Sequence, residues 1–235
     1  MIKLDPKIIK HFKGYNNSAE MIMTCLYFKF RYSLSYRDIE ELSGIRGLSI
    51  DHSNIQRWVE KFTPLLDKRF RSRKHNVNGS WRMDETYIKV KGKWCYLYRA
   101  VDKYGLTIDF CLRAKRDGVA AKAFFRKAIK QHGKPVKVNV DKSGANKCAL
   151  DNINDNYPEG EKIEIRQNKY LNNMIEQDHR FIKRRTKPAL GFKSFNGAKQ
   201  TITGIEISHM IKKGQLKTSN QNNKSAFNQF MSLVA

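Results

Sequence analysis

Trp81-Arg82-Met83-Asp84-Glu85-Thr86-Tyr87-Ile88-Lys89-Val90 is followed at once by Lys91-Gly92-Lys93 and then by Trp94-Cys95-Tyr96-Leu97-Tyr98-Arg99-Ala100-Val101. β-Branched and aromatic side chains crowd both runs, and the Gly-centred break between them is a turn, so the segment predicts an antiparallel hairpin. Lys103-Tyr104-Gly105 turns the chain again into a third strand, Leu106 to Leu112. Ala120, Ala121, Phe124, Phe125 and Ala128 then share one helical face, predicting a helix over 117–132 that stops at Gly133. Pro135 opens a fourth strand over 136–140. A short helix over 145–153, a fifth strand over 162–166 and helices over 173–185 and about 196–213 complete the order. Hairpin strands followed by strands alternating with helices predict an α/β fold, a mixed sheet with helices on its faces.

Three carboxylates stand out on this frame. Asp84 lies on the first strand, Asp141 closes the fourth, and Glu176 sits on the helix over 173–185, beside a basic face. Hard divalent cations prefer carboxylate oxygens, and two such ions can activate a water or a DNA 3′-hydroxyl and stabilise the leaving oxygen. Competing readings stand beside each acid. An Asp at a strand end is more often a cap or turn former, and Asp141 precedes Lys142-Ser143-Gly144. Glu85 and Asp178 are neighbouring decoys. Thr86, two residues past Asp84, points to the same strand face and packs under the site or bonds to a carboxylate. His179, Arg180 and Lys183 follow Glu176 at i+3, i+4 and i+7, one helix face. For His179, ligand, phosphate-contact and structural readings stay open. Trp94, Tyr96 and Tyr98 alternate along one strand, a pattern of packing rather than base stacking.

Upstream the periodicity is helical. Ala19, Ile22, Met23, Leu26 and Phe30 mark a helix over 18–30, and Ser35 caps a second over 36–42. A turn with Gly44 and Gly47 leads to Asp51, which caps a third helix carrying Ile55, Trp58, Val59 and Phe62. Short helix, Gly-containing turn and capped helix form a helix-turn-helix pattern. His52, Ser53, Asn54, Gln56 and Arg57 lie off the apolar stripe in the first turns, where a recognition helix meets base edges. The competing reading is a solvated face of a bundle.

Composition points to the same partner. The chain carries 46 Lys and Arg against 22 Asp and Glu in 235 residues, a net charge of +24, with 40% hydrophobic residues. The excess is spread out: 15 basic against 8 acidic residues in 1–80, 20 against 11 in 81–170, and 11 against 3 in 171–235. A basic body that can bury a core is a globular polyanion binder rather than a disordered basic tail, and its affinity should depend steeply on salt. Cys25, Cys95, Cys111 and Cys148 form no C-x-x-C pair, so a zinc site is not expected and the thiols read as reduced. No signal segment and no run of membrane-span length is visible. The expected setting is the cytoplasm, with the protein on the nucleoid.

Met83-Asp84-Glu85-Thr86-Tyr87, Trp94 to Asp102, Val140-Asp141-Lys142, Lys169 to His179, Gly191-Phe192-Lys193-Ser194 and Thr203 to Ile207 together resemble the DDE transposases of the bacterial insertion-sequence-six family. The likeness runs from the helix-turn-helix region to about Lys213. It implies a ribonuclease-H-like sheet, three antiparallel strands then two parallel, in which the strands bearing Asp84 and Asp141 are neighbours. It also implies that Asp84, Asp141 and Glu176 hold two Mg²⁺ ions, with Mn²⁺ able to substitute and Asp84 bridging both. The implied activity is binding of terminal inverted repeats, 3′-end cleavage and strand transfer into target DNA, typically giving a cointegrate, by a homodimer or larger assembly. Lys183 matches the basic residue found two turns after the glutamate, while Asn172 stands where broader DDE signatures carry an Arg. Arg180, Arg184 and Arg185, with Lys187, are further expected backbone contacts. The expected domains are a helix-turn-helix domain over 1–70, a linker over 71–80, a catalytic domain over 81–213 and a polar tail over 214–235. A non-enzymatic helix-turn-helix regulator and a related metal-dependent nuclease are the alternatives.

Overall fold

The computed structural model describes residues 4–142, 144–218 and 225–235, Lys169 by its backbone alone. In chain order the elements are α1 (Pro6–Phe12), α2 (Ala19–Arg31), α3 (Tyr36–Gly44), α4 (His52–Ser72), β1 (Ser80–Val90), β2 (Lys93–Asp102), β3 (Thr107–Arg113), α5 (Gly118–His132), β4 (Lys137–Asn139), α6 (Gly144–Asn154), β5 (Glu164–Arg166), α7 (Asn173–Thr186), α8 (Phe195–Lys212) and α9 (Ala226–Met231). They divide into two compact units, one of residues 76–184 and one combining the N-terminal segment to His75 with the segment from Arg185 onward.

The 76–184 unit is built on a five-stranded sheet of order β3-β2-β1-β4-β5. β1, β2 and β3 pair antiparallel, and β4 and β5 add in parallel. That is the ribonuclease-H-like arrangement expected above. The turn between β1 and β2 holds Lys91 and Gly92 at φ 49° and 76°, a left-handed pair that suits a two-residue hairpin and favours glycine. One face of the sheet packs Trp81, Met83, Tyr98 and Ala100 against Phe124 and Phe125 of α5 and Leu150 and Ile153 of α6. Asp117 caps α5 by accepting from the Ala120 N–H at 2.8 Å.

The other described unit is helical. Ser35 and Asp38 close a capping box at the start of α3, and Asp51 accepts from the Ser53 N–H at 2.7 Å to start α4. The helix-turn-helix order of short helix, glycine turn and capped helix is therefore present. α4 ends at Ser72, two residues into the segment expected as a linker. Its stripe of Ile55, Val59, Phe62, Leu66 and Phe70 is buried throughout, so the helix runs on to Ser72.

α8, which falls within the expected 81–213 domain, packs against α2 and α4. Thr201 through Ser208, Met210 and Ile211 are all buried, so this helix is covered on several sides rather than along one stripe. Gly204 permits the close approach: a Cβ there would lie 2.3 Å from Phe30 Cε1. The segment 225–235, read as the end of a polar tail, forms α9 and buries Phe230, Met231, Leu233 and Val234. Arg69 of α4 and Arg73, which follows its last residue, donate to the Leu233 and Ser232 carbonyls at 3.2 and 2.7 Å. The polar stretch 219–224 lies outside the described residues. Among the described residues no helix is long and apolar enough to cross a membrane, and all four cysteines are free thiols.

Candidate active site

β1 and β4 pair only from Ser80–Lys137 to Arg82–Asn139. Past that point β1 continues while the other chain turns away: Val140 donates its N–H to the Arg166 carbonyl at 2.9 Å. Asp84 and Glu85 follow on one side of this parting and Asp141 on the other. One carboxylate oxygen from each of the three lies within 4.8 Å of the others. Successive strand residues point to opposite faces, so Asp84 and Glu85 can share a centre only at an edge that β4 leaves open.

The two faces supply different neighbours. On one, Arg116 Nη2 lies 3.3 Å from Glu85 Oε2 and 3.1 Å from Asp141 Oδ2. Asn146 of α6 donates to Asp141 Oδ1 at 3.3 Å. On the other, His179 Nδ1 of α7 is 3.6 Å from Asp84 Oδ2. Arg99, which faces Asp84 across the β1–β2 ladder, is fully buried and pairs with Asp178 of α7 at 2.7 Å. Glu176 is exposed in the first turn of α7 and is not a member of the close three-carboxylate group.

A family model described as a DDE domain, of the IS240 transposase type, matches residues 78–215. The chain is 40% identical over 206 residues, 87% of its length and 90% of the relative's, to the transposase for insertion sequence-like element IS431mec of Staphylococcus aureus. The same figures hold for the transposase for insertion sequence element IS257 in transposon Tn4003 of that species. The chain belongs to the insertion-sequence-six family of DDE transposases. It is thereby a polynucleotidyl transferase. Among solved structures, the catalytic core domain of HTLV-2 integrase in complex with magnesium is similar at 22% identity, covering 50% of this chain and 75% of that one, with a TM-score of 0.40.

The electrostatics of the transposase site follow from burial and crowding. The Asp84 carboxyl is pushed up from 3.8 to about 7, by burial first and then by the charges of Glu85, Asp141 and Glu176, against an opposing backbone hydrogen bond. Glu176 is thus within electrostatic reach of Asp84 although outside the close group. Burial also raises Glu85, with Arg116 and Asn146 opposing it. His179 is pushed down to about 3, by burial and then by Arg99 and Lys183, so its imidazole is neutral near pH 7. Glu85 Oε1 and His179 Nε2 are buried without a hydrogen-bond partner. A cluster of carboxylate oxygens in which burial and mutual repulsion raise one carboxyl has the chemistry of a divalent-cation site.

Several residues take places the sequence did not suggest. Glu85, read as a decoy, faces the same centre as Asp84. Arg116 sits in an ordinary Lys115-Arg116-Asp117 run, and nothing local marks it as a bridge between Glu85 and Asp141. Asn172 is buried, and it accepts from Asn139 Nδ2 at 2.5 Å. Asn139 also donates to the Asn168 carbonyl at 3.0 Å and accepts from its N–H at 3.2 Å. Asn172 therefore ties the start of α7 to the end of β4 and is not presented as a phosphate ligand. Thr86 packs under the strand, 1% exposed, with no hydrogen-bond partner at Oγ1.

The expected DNA contacts divide in the same way. Gln56 and Arg57 are exposed, with Arg57 donating to Asn54 Oδ1 at 3.0 Å. His52 and Ser53 are half-buried, and His52 Nδ1 lies 2.9 Å from Glu40 Oε2 of α3. Arg180, Lys183 and Arg184 are exposed on α7. Arg185 differs from them: Nε and Nη2 donate to the Arg31 carbonyl at 3.1 and 2.8 Å. A guanidinium is well matched to the unpaired carbonyls at the end of α2, so Arg185 fastens a helix terminus.

Proposed function

We propose that this transposase binds the terminal inverted repeats of its insertion sequence, cleaves them to free 3′-hydroxyls and joins those ends to target DNA, giving a cointegrate by replicative transposition. The observation that carries the reading is the meeting of Asp84 and Asp141 oxygens where β1 and β4 part. Glu176 completes the set from α7, coming into contact from the position where its charge already acts on Asp84.

The donor set fits Mg²⁺, with Mn²⁺ as a substitute, and Asp84, Asp141 and Glu176 would hold two ions. Bound there, the ions supply a lowered pKa for the attacking hydroxyl and stabilisation of the leaving oxygen. The chain's own groups do the rest. Arg116 balances the charges of Glu85 and Asp141 and so helps hold Asp141 in position. The Arg99–Asp178 pair holds α7 against the strand that bears Asp84. Neutral His179 packs beside Asp84 without competing for its charge. Lys183 and Arg180 contact phosphates flanking the cut, and Gln56 and Arg57 on α4 read the terminal repeat. Because two ends must be joined, the working form is a homodimer or a larger assembly, acting on DNA of the nucleoid in the cytoplasm.

The test is cleavage and joining of element-end DNA with Mg²⁺ by Asp84→Ala, Asp141→Ala and Glu176→Ala, each checked for end binding by gel shift. Each variant should lose cutting and keep binding. Full activity in any of them removes that acid from the set, and cutting without joining reassigns the protein as a nuclease.

A further inference from the structure

The outer half of the β1–β2 hairpin carries an exposed aromatic surface that the carboxylate chemistry does not use. Its two faces are unlike. Ile88, Val90, Cys95 and Leu97 point one way and are buried. Tyr87 and Trp94 point the other way and are 52% and 59% exposed. The register pairs Tyr87 with Tyr96 and Lys89 with Trp94. The rings touch: Tyr87 and Tyr96 centroids are 5.4 Å apart, and Tyr87 and Trp94 centroids 6.2 Å. Tyr96 is partly buried against the core, which anchors the group. The packing expected of the Trp94, Tyr96, Tyr98 series therefore holds for Tyr98 and in part for Tyr96, and fails for Trp94.

Position and charge say what such a surface would take. Tyr87 lies two residues from Glu85 on the same pleat face, about 7 Å along the strand. Arg116, the bridge between Glu85 and Asp141, is within electrostatic reach of Tyr87. Lys89, paired with Trp94, is exposed on the same face, Lys91 is exposed in the adjoining turn, and no acid occurs from Thr86 to Val101. Clustered rings with open faces and positive charge beside them match a polyanion that presents flat apolar groups. Paired bases hide those faces within their own stack, whereas unpaired bases offer them.

We propose that Tyr87, Trp94 and Tyr96 form a stacking platform for unpaired bases of the DNA strand that passes through the carboxylate site, with Lys89 and Lys91 holding its phosphates. The inference rests on the reading that DNA ends are cut at those carboxylates.

The test uses the full chain in EDTA, so that no cutting is needed, with a blunt element-end duplex and the same duplex carrying an unpaired tail. Stacking contributes about 1–3 kcal/mol per base, so Trp94→Ala and Tyr87→Ala should each weaken tailed-duplex binding by roughly fivefold or more and leave blunt-duplex binding unchanged. Trp94→Phe should retain most of the preference. Trp58 and Trp81 are buried at 3% and 2% exposure, so tryptophan quenching by the tailed duplex should vanish in Trp94→Phe. An unchanged preference in the Tyr87→Ala, Trp94→Ala double variant overturns the proposal. So does conversion to monomer in sedimentation with tail binding intact, which would make this face a contact between copies of the chain. Asp84→Ala separates the two readings, since it should keep tail binding while losing cutting.

Discussion

Replacing Asp84 with Asn should stabilise the metal-free protein above neutral pH and leave its stability unchanged in acid. Asp84 has only 20% of its side chain exposed, and crowding with burial lifts its pKa from 3.8 to about 7. Each tenfold change in proton affinity is worth about 1.4 kcal/mol. The rise spans roughly three such factors, so ionising Asp84 in the fold rather than in the unfolded chain costs about 4 kcal/mol. Because the folded pKa lies above the unfolded one, the cost is absent below about pH 4, grows between about pH 4 and 7, and is complete above that window. Asn never ionises and so escapes it. Against a typical total stability of about 5–15 kcal/mol, even half of the expected gain is readily measured.

Urea denaturation in EDTA at about pH 5 and about pH 8 reads the effect, and repeating it with Mg²⁺ or Ca²⁺ tests its cause. The variant should exceed the wild type by roughly 1.5 kcal/mol at the lower pH and by about 4 kcal/mol at the higher one, and lose the advantage when the cation binds the wild-type carboxylates. A gain of equal size at both pH values would assign it to packing rather than charge. A less stable Asn variant at the higher pH in EDTA would refute the electrostatic account of the site. The expected pattern is that of a centre kept at a cost to the empty fold because its charge is needed when loaded.

Two further outcomes test the scaffold. Gly204→Ala should lower Tm by about 2–10 °C, from roughly 1–3 kcal/mol of overpacking against the fully buried Phe30 ring, and Phe30→Leu in the same chain should recover part of it; a Tm equal to wild type would mean that the α2–α8 contact is not tight. Asn172→Leu removes one acceptor of the buried Asn139 Nδ2, which keeps the Asn168 carbonyl, and should cost about 1–3 kcal/mol in denaturant unfolding, while the Asn139→Leu, Asn172→Leu double variant should cost less than the two single changes together; strict additivity would show that the pair is not coupled.

What was legible in the sequence, and what was not, divides by the range of the signal. The hairpin of β1 and β2 was readable because its turn and strand periodicity are local, and so were the one-sided stripes of α2 and α5. The packing partners of α8 were not readable because it is buried on several sides: a helix without a polar face does not say which neighbour it covers. α9 has only six residues, too few to show a period. The site follows the same division. Asp84 and Asp141 could be picked out by motif, and the same motif register set Glu85 aside, in keeping with the alternation by which adjacent strand residues point apart. That rule assumes a strand paired along its length. Here β1 outlasts β4 by the span from Met83 onward, and the open edge is what lets both acids face Asp141. Where a strand stops being paired depends on a segment 57 residues away in the chain, and Arg116 reaches the same edge from a third segment. The carboxylate cluster is therefore written less in any one motif than in where two strands part, which a local reading cannot locate and a carboxylate swap at Glu85 or Asp84 would probe directly.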